Sequence, residues 1–371
     1  MLLSVLTVVV LGAADAGPAT LDTKSSMREA FAALVRLQEA AAKPSALTDP
    51  AQAPRISEDL GRLKDLAHAF PADAQAQEPA TAALSSLLGR YAAETQRRFD
   101  AHEPGSVGTR VRTLMSLCVT CHARERASGG FAIGFERLDA LGLTGVERAT
   151  VLVSTRQFDA ALVEYGKVLD AKLTDFAAFS RALQDSLTLL VRVKDDPVAT
   201  AALLDRVGAR EDLPKFFRSH VPTWKRDVAD WRAEKFDAQR AKPEVLFAKA
   251  QALVTKANGG SLFGDDRKDV LWLRASGYLN LALAKNPKLK TRGEALFLLG
   301  TCAGGLRSPL WWDVDELYYE ACVRENPRSP LAKRCYERLA ERVTLGYTGS
   351  AGTFIPDDEQ TRLDELKALT R

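Results

Sequence analysis

Two cysteines and a histidine stand close together in the segment Cys118-Val119-Thr120-Cys121-His122. The C-x-x-C-H pattern is typical of covalent haem attachment, in which both thiols bind the cofactor and the histidine ligates its iron. Residues three and four positions apart share one face of a helix, so the two thiols and the imidazole can approach the same cofactor. An apolar stripe with helical spacing predicts such a helix, and its members are Val107, Val111, Leu114, Cys118 and Cys121. Ser106 is the expected N-cap of this helix.

Two other kinds of site use closely spaced cysteines, and neither matches the surrounding sequence. A thioredoxin-type redox pair requires a βαβ context. A structural zinc site requires four ligands at close spacing, whereas the next cysteine in the chain is Cys302. We therefore predict one haem c, held covalently by Cys118 and Cys121, with His122 as the proximal ligand of the iron.

The remaining composition indicates the fold class. Alanine and leucine are abundant, aromatic residues make up 7% of the chain, and no run of alternating β-branched residues stands out. We predict an all-α protein, and the length of 371 residues favours at least two domains. The formal net charge of +3 supplies no strong field for nucleic acid, so we expect no nucleic-acid partner.

The N-terminal segment is apolar and carries no charged side chain before Asp15. It is shorter than the ~20 residues that span a bilayer, and Ala14-Asp15-Ala16 supplies the small-x-small pattern of a signal cleavage site. We predict a signal peptide over residues 1–16, a periplasmic or secreted mature protein, and no integral membrane span after cleavage. Because no basic residue precedes the apolar run, a buried N-terminal strand or helix is the alternative.

Amphipathic segments near 23–42, 55–70 and 79–100 precede the helix that carries the motif. Short connections between four such helices favour an antiparallel four-helix bundle over residues 17–128. The motif in the last of these helices resembles that of the monohaem four-helix-bundle cytochromes c, meaning the cytochrome c-prime class and its Met-ligated, low-spin relatives. In that family a basic residue commonly lies four positions after the histidine, and Arg126 matches it as a candidate contact to a haem propionate or the proximal face. Glu125 stands where the family usually carries an aromatic residue.

The resemblance also suggests the second iron ligand. Met-ligated members carry it near the start of the first helix, where Met27 stands, and no methionine follows His122. The alternative is that Met27 is a gap-filling core residue. Met115 lies on the proximal helix and cannot cross to the opposite face of the haem, and His68 and His102 are expected to be solvated or capping residues. A Met–His pair implies electron transfer, whereas a five-coordinate iron implies a binder or sensor of nitric oxide or carbon monoxide.

The second half is predicted as a helical repeat domain over residues 146–371, after a glycine-containing linker at 129–145. Residues 279–287 and 319–327 are related to each other, and 158–165 follows the same pattern. These segments resemble the second helix of tetratricopeptide repeats, which implies an α-solenoid whose concave surface binds a protein or peptide. A helical domain that only packs against the haem bundle is the alternative.

Cys302, Cys322 and Cys335 are left over after haem attachment. In an oxidising compartment they form either one disulfide with one free thiol or three buried thiols. Cys302 and Cys322 lie late in consecutive antiparallel helices, so they should lie at opposite ends of the helix pair, too far apart for a disulfide. If any pair is bridged, we therefore expect it to be Cys322 with Cys335.

We find no catalytic dyad, metal cluster or phosphate-binding loop in the sequence, so it predicts no enzyme. The expected function is that of an exported c-type cytochrome. One covalent haem carries single electrons, and the helical repeats dock the protein to a redox partner.

Overall fold

The computed structural model describes residues 23–69, 79–122, 143–257, 266–306, 314–350 and 352–371. Within these ranges the chain is helical apart from turns and one short hairpin, which confirms the predicted all-α class. The predicted signal peptide at 1–16 and residues 129–142 of the predicted linker lie outside the described residues. None of the helices in the described ranges has the length and apolar character needed to cross a bilayer.

The first four described helices match the segments that apolar periodicity predicts. They are α1 (Thr23–Ala42), α2 (Ala53–Ala69), α3 (Pro79–Asp100) and α4 (Pro104–His122), with a 3-10 turn at Pro44–Leu47. Helix α1 packs on α2 and α4, α2 packs on α3, and α3 packs on α4, so the contacts between the four helices close into a ring.

The start of α4 differs from the sequence prediction. The helix begins at Pro104, so Ser106 lies inside its first turn and is not the N-cap. Proline is favoured at the first position of a helix because its φ is already helical and the N–H that it lacks would have had no helical partner.

Many of the helices that follow residue 142 pack on a neighbour in sequence, and several also contact the next helix but one. The helix at Asp269–Lys285 packs in addition on the turn at Thr188–Val193. The helices of this part are α5 (Gly145–Ser154), α6 (Phe158–Asp170), α7 (Phe176–Leu187), α8 (Pro197–Gly208), α9 (Lys215–Ala233), α10 (Pro243–Lys256), α11 (Asp269–Lys285), α12 (Arg292–Gly305), α13 (Val314–Glu325), α14 (Pro330–Gly346) and α15 (Asp357–Ala368). A π-helical turn at Thr188–Val193 follows α7, and a 3-10 turn at Asp266–Lys268 precedes α11.

The glycine-containing segment before α15 carries a short antiparallel hairpin. Strands β1 (Thr348–Gly349) and β2 (Gly352–Thr353) pair antiparallel, with Thr348 opposite Thr353. Gly352 has a φ of +109°, a conformation that side-chain-bearing residues rarely adopt, which explains a glycine at this turn.

The first four helices and the later helices share one continuous apolar core. Helix α4 packs on α5, and α3 packs on α13. At the second of these contacts Leu84 and Leu87 of α3 meet Leu317 of α13, and Leu117 and Cys121 pack against the same small cluster. The motif-bearing end of α4 therefore contacts the later helices directly.

The leftover cysteines and the aromatic residues of the later helices are part of the core. Cys322 of α13 is joined to Cys335 of α14, with the Cα atoms 6.1 Å apart, which is the pair expected from the sequence. Cys302 is a buried free thiol. The side chains of Trp224, Trp231, Tyr318 and Tyr319 are buried in the core.

Candidate functional site

The last described turns of α4 bring the three motif residues together. Cys118, Cys121 and His122 lie close to one another in this helix, which is described as far as His122. All three side chains are partly buried, and all three line one cavity. The structure therefore places them on a common face, as the spacing predicts.

The cavity lies between helices from both parts of the chain. It holds about 620 Å³ of empty space, part of it open to solvent. Met27 lines it from α1, together with the motif residues of α4 and Ser154 of α5. The other lining side chains are mostly apolar: Ala30, Phe31, Leu84, Ser85, Leu88 and Leu117.

The His122 ring donates a hydrogen bond to the second half of the chain. Nδ1 of His122 lies 2.6 Å from the carbonyl oxygen of Ser154, the last residue of α5. A carbonyl oxygen only accepts hydrogen bonds, so Nδ1 carries the proton. In the neutral ring the Nε2 lone pair is then left for a metal ion.

The surroundings of His122 keep its imidazole neutral. Burial, which disfavours the charged ring, lowers the pKa of His122 to about 4, and the positive charge of Arg156 acts in the same direction. The hydrogen bond to Ser154 opposes the shift without cancelling it. At pH 7 the ring is therefore unprotonated at Nε2 and able to act as a ligand.

The pKa of the Cys118 thiol is shifted in the opposite direction to that of a redox-active cysteine. Withdrawal from water raises the pKa of Cys118 to about 12, so the haem-free chain keeps a neutral thiol there at pH 7. Cysteines that exchange disulfides have lowered pKa values, because the thiolate is the reactive form. This environment argues against a thioredoxin-type function for the pair.

Several residues that the sequence nominates are not brought to the cavity. Met115 is buried and lines a separate small cavity with Gln38 and Val146. His102 is exposed in the turn between α3 and α4, with a φ of +57°. The side chain of His68 and the whole of Arg126 lie outside the described residues, so the structure does not place them.

Two features of the site were not predicted from the sequence. Ser154 contributes its backbone carbonyl, which has no residue-specific signature in a sequence, 32 residues away from His122. Phe31, Leu84 and Leu88 belong to the predicted apolar stripes, but nothing in those stripes separates residues that line a cavity from residues that fill the core.

The donor set and the walls fit a haem c. Two thiols lie one helical turn apart, a neutral imidazole lies beside them, and the Met27 thioether lines the same apolar space. Among the described residues, no group of three or more His, Cys, Asp or Glu side chains is arranged to hold a metal ion. A haem iron does not need such a group, because the porphyrin supplies four of its ligands.

The comparisons with known proteins add no relative. The chain matches no family model, no curated protein and no solved structure.

Proposed function

We propose that this protein is an exported c-type cytochrome that carries single electrons through one covalently bound haem. The observation that supports the proposal is the convergence of Cys118, Cys121, His122 and Met27 on one largely apolar cavity. Four residues of these types meet there from two helices, although Met27 lies far from the others in sequence.

Each of the four residues has a definite part in the proposal. Cys118 and Cys121 would hold the cofactor through thioether bonds, each formed by addition of the thiol S–H across a vinyl group of the porphyrin, and His122 would ligate the iron through Nε2. Met27 of α1 would be the second protein ligand, which would close the iron to other molecules. When bound, the haem supplies a one-electron Fe(III)/Fe(II) couple, and a Met–His ligand pair raises its reduction potential. Phe31, Leu84 and Leu88 would supply apolar walls around the cofactor.

The first four helices are, in this proposal, an antiparallel four-helix bundle of the cytochrome c-prime type. Their closed ring of contacts supports this architecture. The motif also lies in the fourth helix, where the resemblance expects it.

The later helices are proposed to form a tetratricopeptide-like α-solenoid that docks a redox partner. Contacts between neighbouring helices, and weaker ones to the next but one, are the pattern that stacked helix pairs produce. Gly300 of α12 supports the same view, since an added Cβ there would lie 2.6 Å from Cε1 of Tyr319 in α13. Repeats that stack this closely require a small residue opposite an aromatic ring.

The proposed location is the periplasm or the cell exterior. Covalent haem attachment takes place outside the cytoplasm, and the disulfide between Cys322 and Cys335 is of a kind that persists in oxidising compartments. The apolar N-terminal segment with its Ala14-Asp15-Ala16 sequence is the proposed export signal.

Absorption spectroscopy of the purified protein tests the proposal. We expect haem that stays attached after denaturation, and a low-spin spectrum with the weak long-wavelength band of Met-ligated ferric iron. Met27→Leu should abolish that band, whereas Met115→Leu, a matched change at a methionine that lines a different cavity, should retain it. Cys118→Ala with Cys121→Ala should leave no covalent haem.

A second outcome would favour gas binding. A high-spin wild-type spectrum that shifts on addition of carbon monoxide would mean that Met27 is not a ligand and that the iron is open. The apolar walls around Met27 would then form the binding space for a diatomic gas. A protein without covalent haem would contradict both functions.

A further inference from the structure

Helix α5 ends in a specific cap immediately beside the candidate site. Arg156 has a φ of +60°, and its N–H donates to the Val153 carbonyl at 2.9 Å. The N–H of Gln157 donates to the Leu152 carbonyl at 2.8 Å. This pair of bonds around a left-handed residue is the Schellman motif, which satisfies carbonyl groups at the end of a helix.

The cap leaves one carbonyl group for another partner. Among the described residues, no backbone N–H donates to the oxygen of Ser154, which lies between the capped carbonyls and the left-handed residue. That oxygen accepts instead from Nδ1 of His122 at 2.6 Å. The turn of the chain at Arg156 therefore leaves the Ser154 carbonyl available to the ring on α4.

The position of this carbonyl is rigidly held. Residues Ala149 to Ser154 of α5 are all buried, and the helix packs on α4, α6 and α7. A left-handed conformation is unfavourable at a residue other than glycine, and it persists when the surrounding structure over-determines it. Displacing the carbonyl therefore requires movement of a packed helix.

We propose that the cap of α5 is a positioning element for the His122 ligand, through which the second half of the chain tunes the haem iron. The inference rests on the proposed function, because it concerns His122 as an iron ligand. A strong acceptor at Nδ1–H fixes the orientation of the ring and makes Nε2 a better electron donor. Better donation favours Fe(III), so the bond holds the reduction potential below the value it would have without the Ser154 carbonyl.

This arrangement makes the iron sensitive to the later helices. Ser154 lies beyond residues 123–142, outside the helix that carries the motif. A change in the position of α5 would alter the hydrogen bond to His122 and with it the reduction potential.

Two substitutions at Gln157 distinguish the effect of the backbone cap from the effect of the Gln157 side chain. Gln157→Pro removes the N–H that donates to Leu152 and disfavours the left-handed conformation of the preceding Arg156. The φ of Gln157 is −85°, close to the range of proline, and the change alters no charge. Gln157→Ala is the matched control: it keeps the N–H and loses only the side-chain bond to Oγ1 of Thr155.

Equilibrium redox titration of the haem-loaded, full-length proteins is the test. We expect Gln157→Pro to have a higher reduction potential than the wild type, and Gln157→Ala to have the wild-type value. Equal potentials in all three proteins would overturn the inference and leave the proposed function intact. A wild-type protein without covalent haem would contradict the proposed function itself.

A measurement on the wild type keeps the inference testable if Gln157→Pro does not fold. The hyperfine-shifted Nδ1–H resonance of His122 in the oxidised protein should exchange with solvent at least 100-fold more slowly than that of an exposed imidazole, an order-of-magnitude expectation for a proton held in a buried hydrogen bond. Exchange as fast as that of an exposed ring would show that the Ser154 carbonyl does not hold the proton.

Discussion

The hydroxyl group of Tyr165 donates a hydrogen bond of 2.8 Å to Oδ2 of Asp185, and both side chains are buried between α6 and α7. Nε of Arg181 lies 3.3 Å from the same carboxylate oxygen. Burial raises the pKa of Asp185, because the charged carboxylate loses its hydration, and the partners Arg181 and Tyr165 oppose that shift.

Tyr165→Phe should destabilise the protein by about 1–3 kcal/mol, because the buried carboxylate loses a donor that water cannot replace. Denaturant unfolding at pH 7 measures the change. In an Asp185→Asn background the same substitution should cost less, since a neutral amide is less costly to leave without a partner. An equal cost in both backgrounds would show that the tyrosine hydroxyl contributes nothing through Asp185.

The lowered pKa of His122 predicts a pH dependence of stability for the haem-free chain. The folded ring protonates at a pKa of about 4, and the unfolded ring near its ordinary value of 6.5. Between these values the unfolded chain binds more protons, so stability falls as the pH falls from about 6.5 to about 4, by about 3 kcal/mol in total. Unfolding curves of the haem-free protein across this range measure the loss.

The matched variant for this prediction is His122→Gln, which cannot take up the proton. The free energy of unfolding of this variant should not show the decrease that protonation of His122 causes between pH 6.5 and pH 4. If wild type and variant decline equally, the ring is not withdrawn from water in the folded protein. Two-dimensional NMR of the imidazole carbons gives the pKa of His122 directly.

The state of the five cysteines is a separate prediction. Two thioether bonds and one disulfide account for four of them, so the denatured, unreduced haem protein should expose one reactive thiol, that of Cys302. The native protein should expose none, because Cys302 is fully buried. Thiol titration measures the number, and Cys302→Ala should reduce it to zero. Three reactive thiols in the denatured haem protein would show that Cys322 and Cys335 are not joined.

The sequence was sufficient to predict the helices and the shared face of the motif. Apolar periodicity depends on contacts within one helix, so it places α1 to α4 closely, and the spacing of Cys118, Cys121 and His122 determines their common side. Ser154 could not be found in this way, because its backbone carbonyl reaches His122 only through the left-handed cap at Arg156. A cap that uses arginine where glycine is usual leaves no sequence signal. The hairpin at 348–353 was missed because strands of two residues are too short to show alternation.

The close approach of Gly300 to Tyr319 predicts the result of adding one methyl group. A Cβ at position 300 would lie 2.6 Å from Cε1 of the Tyr319 ring and 2.8 Å from Cδ1, which is closer than packed atoms come. Because the ring is buried, relief requires the two helices to separate. We expect Gly300→Ala to destabilise the protein by about 1–3 kcal/mol, although alanine is the better helix former.

Gly61→Ala is the matched control for Gly300→Ala, since it is the same change inside α2 at a position where a Cβ would meet no atom within 4 Å. It should stabilise the protein by up to about 1 kcal/mol through helix propensity alone.

Replacing Tyr319 with alanine in the Gly300→Ala protein should cost less than the sum of the two single changes, because the clash is then removed. Thermal unfolding of the wild type, the Gly61→Ala control, the two single variants and the double variant measures these differences. Additive costs would mean that α12 and α13 do not meet at Gly300 and Tyr319, and the tight stacking proposed for the later helices would lose its main support.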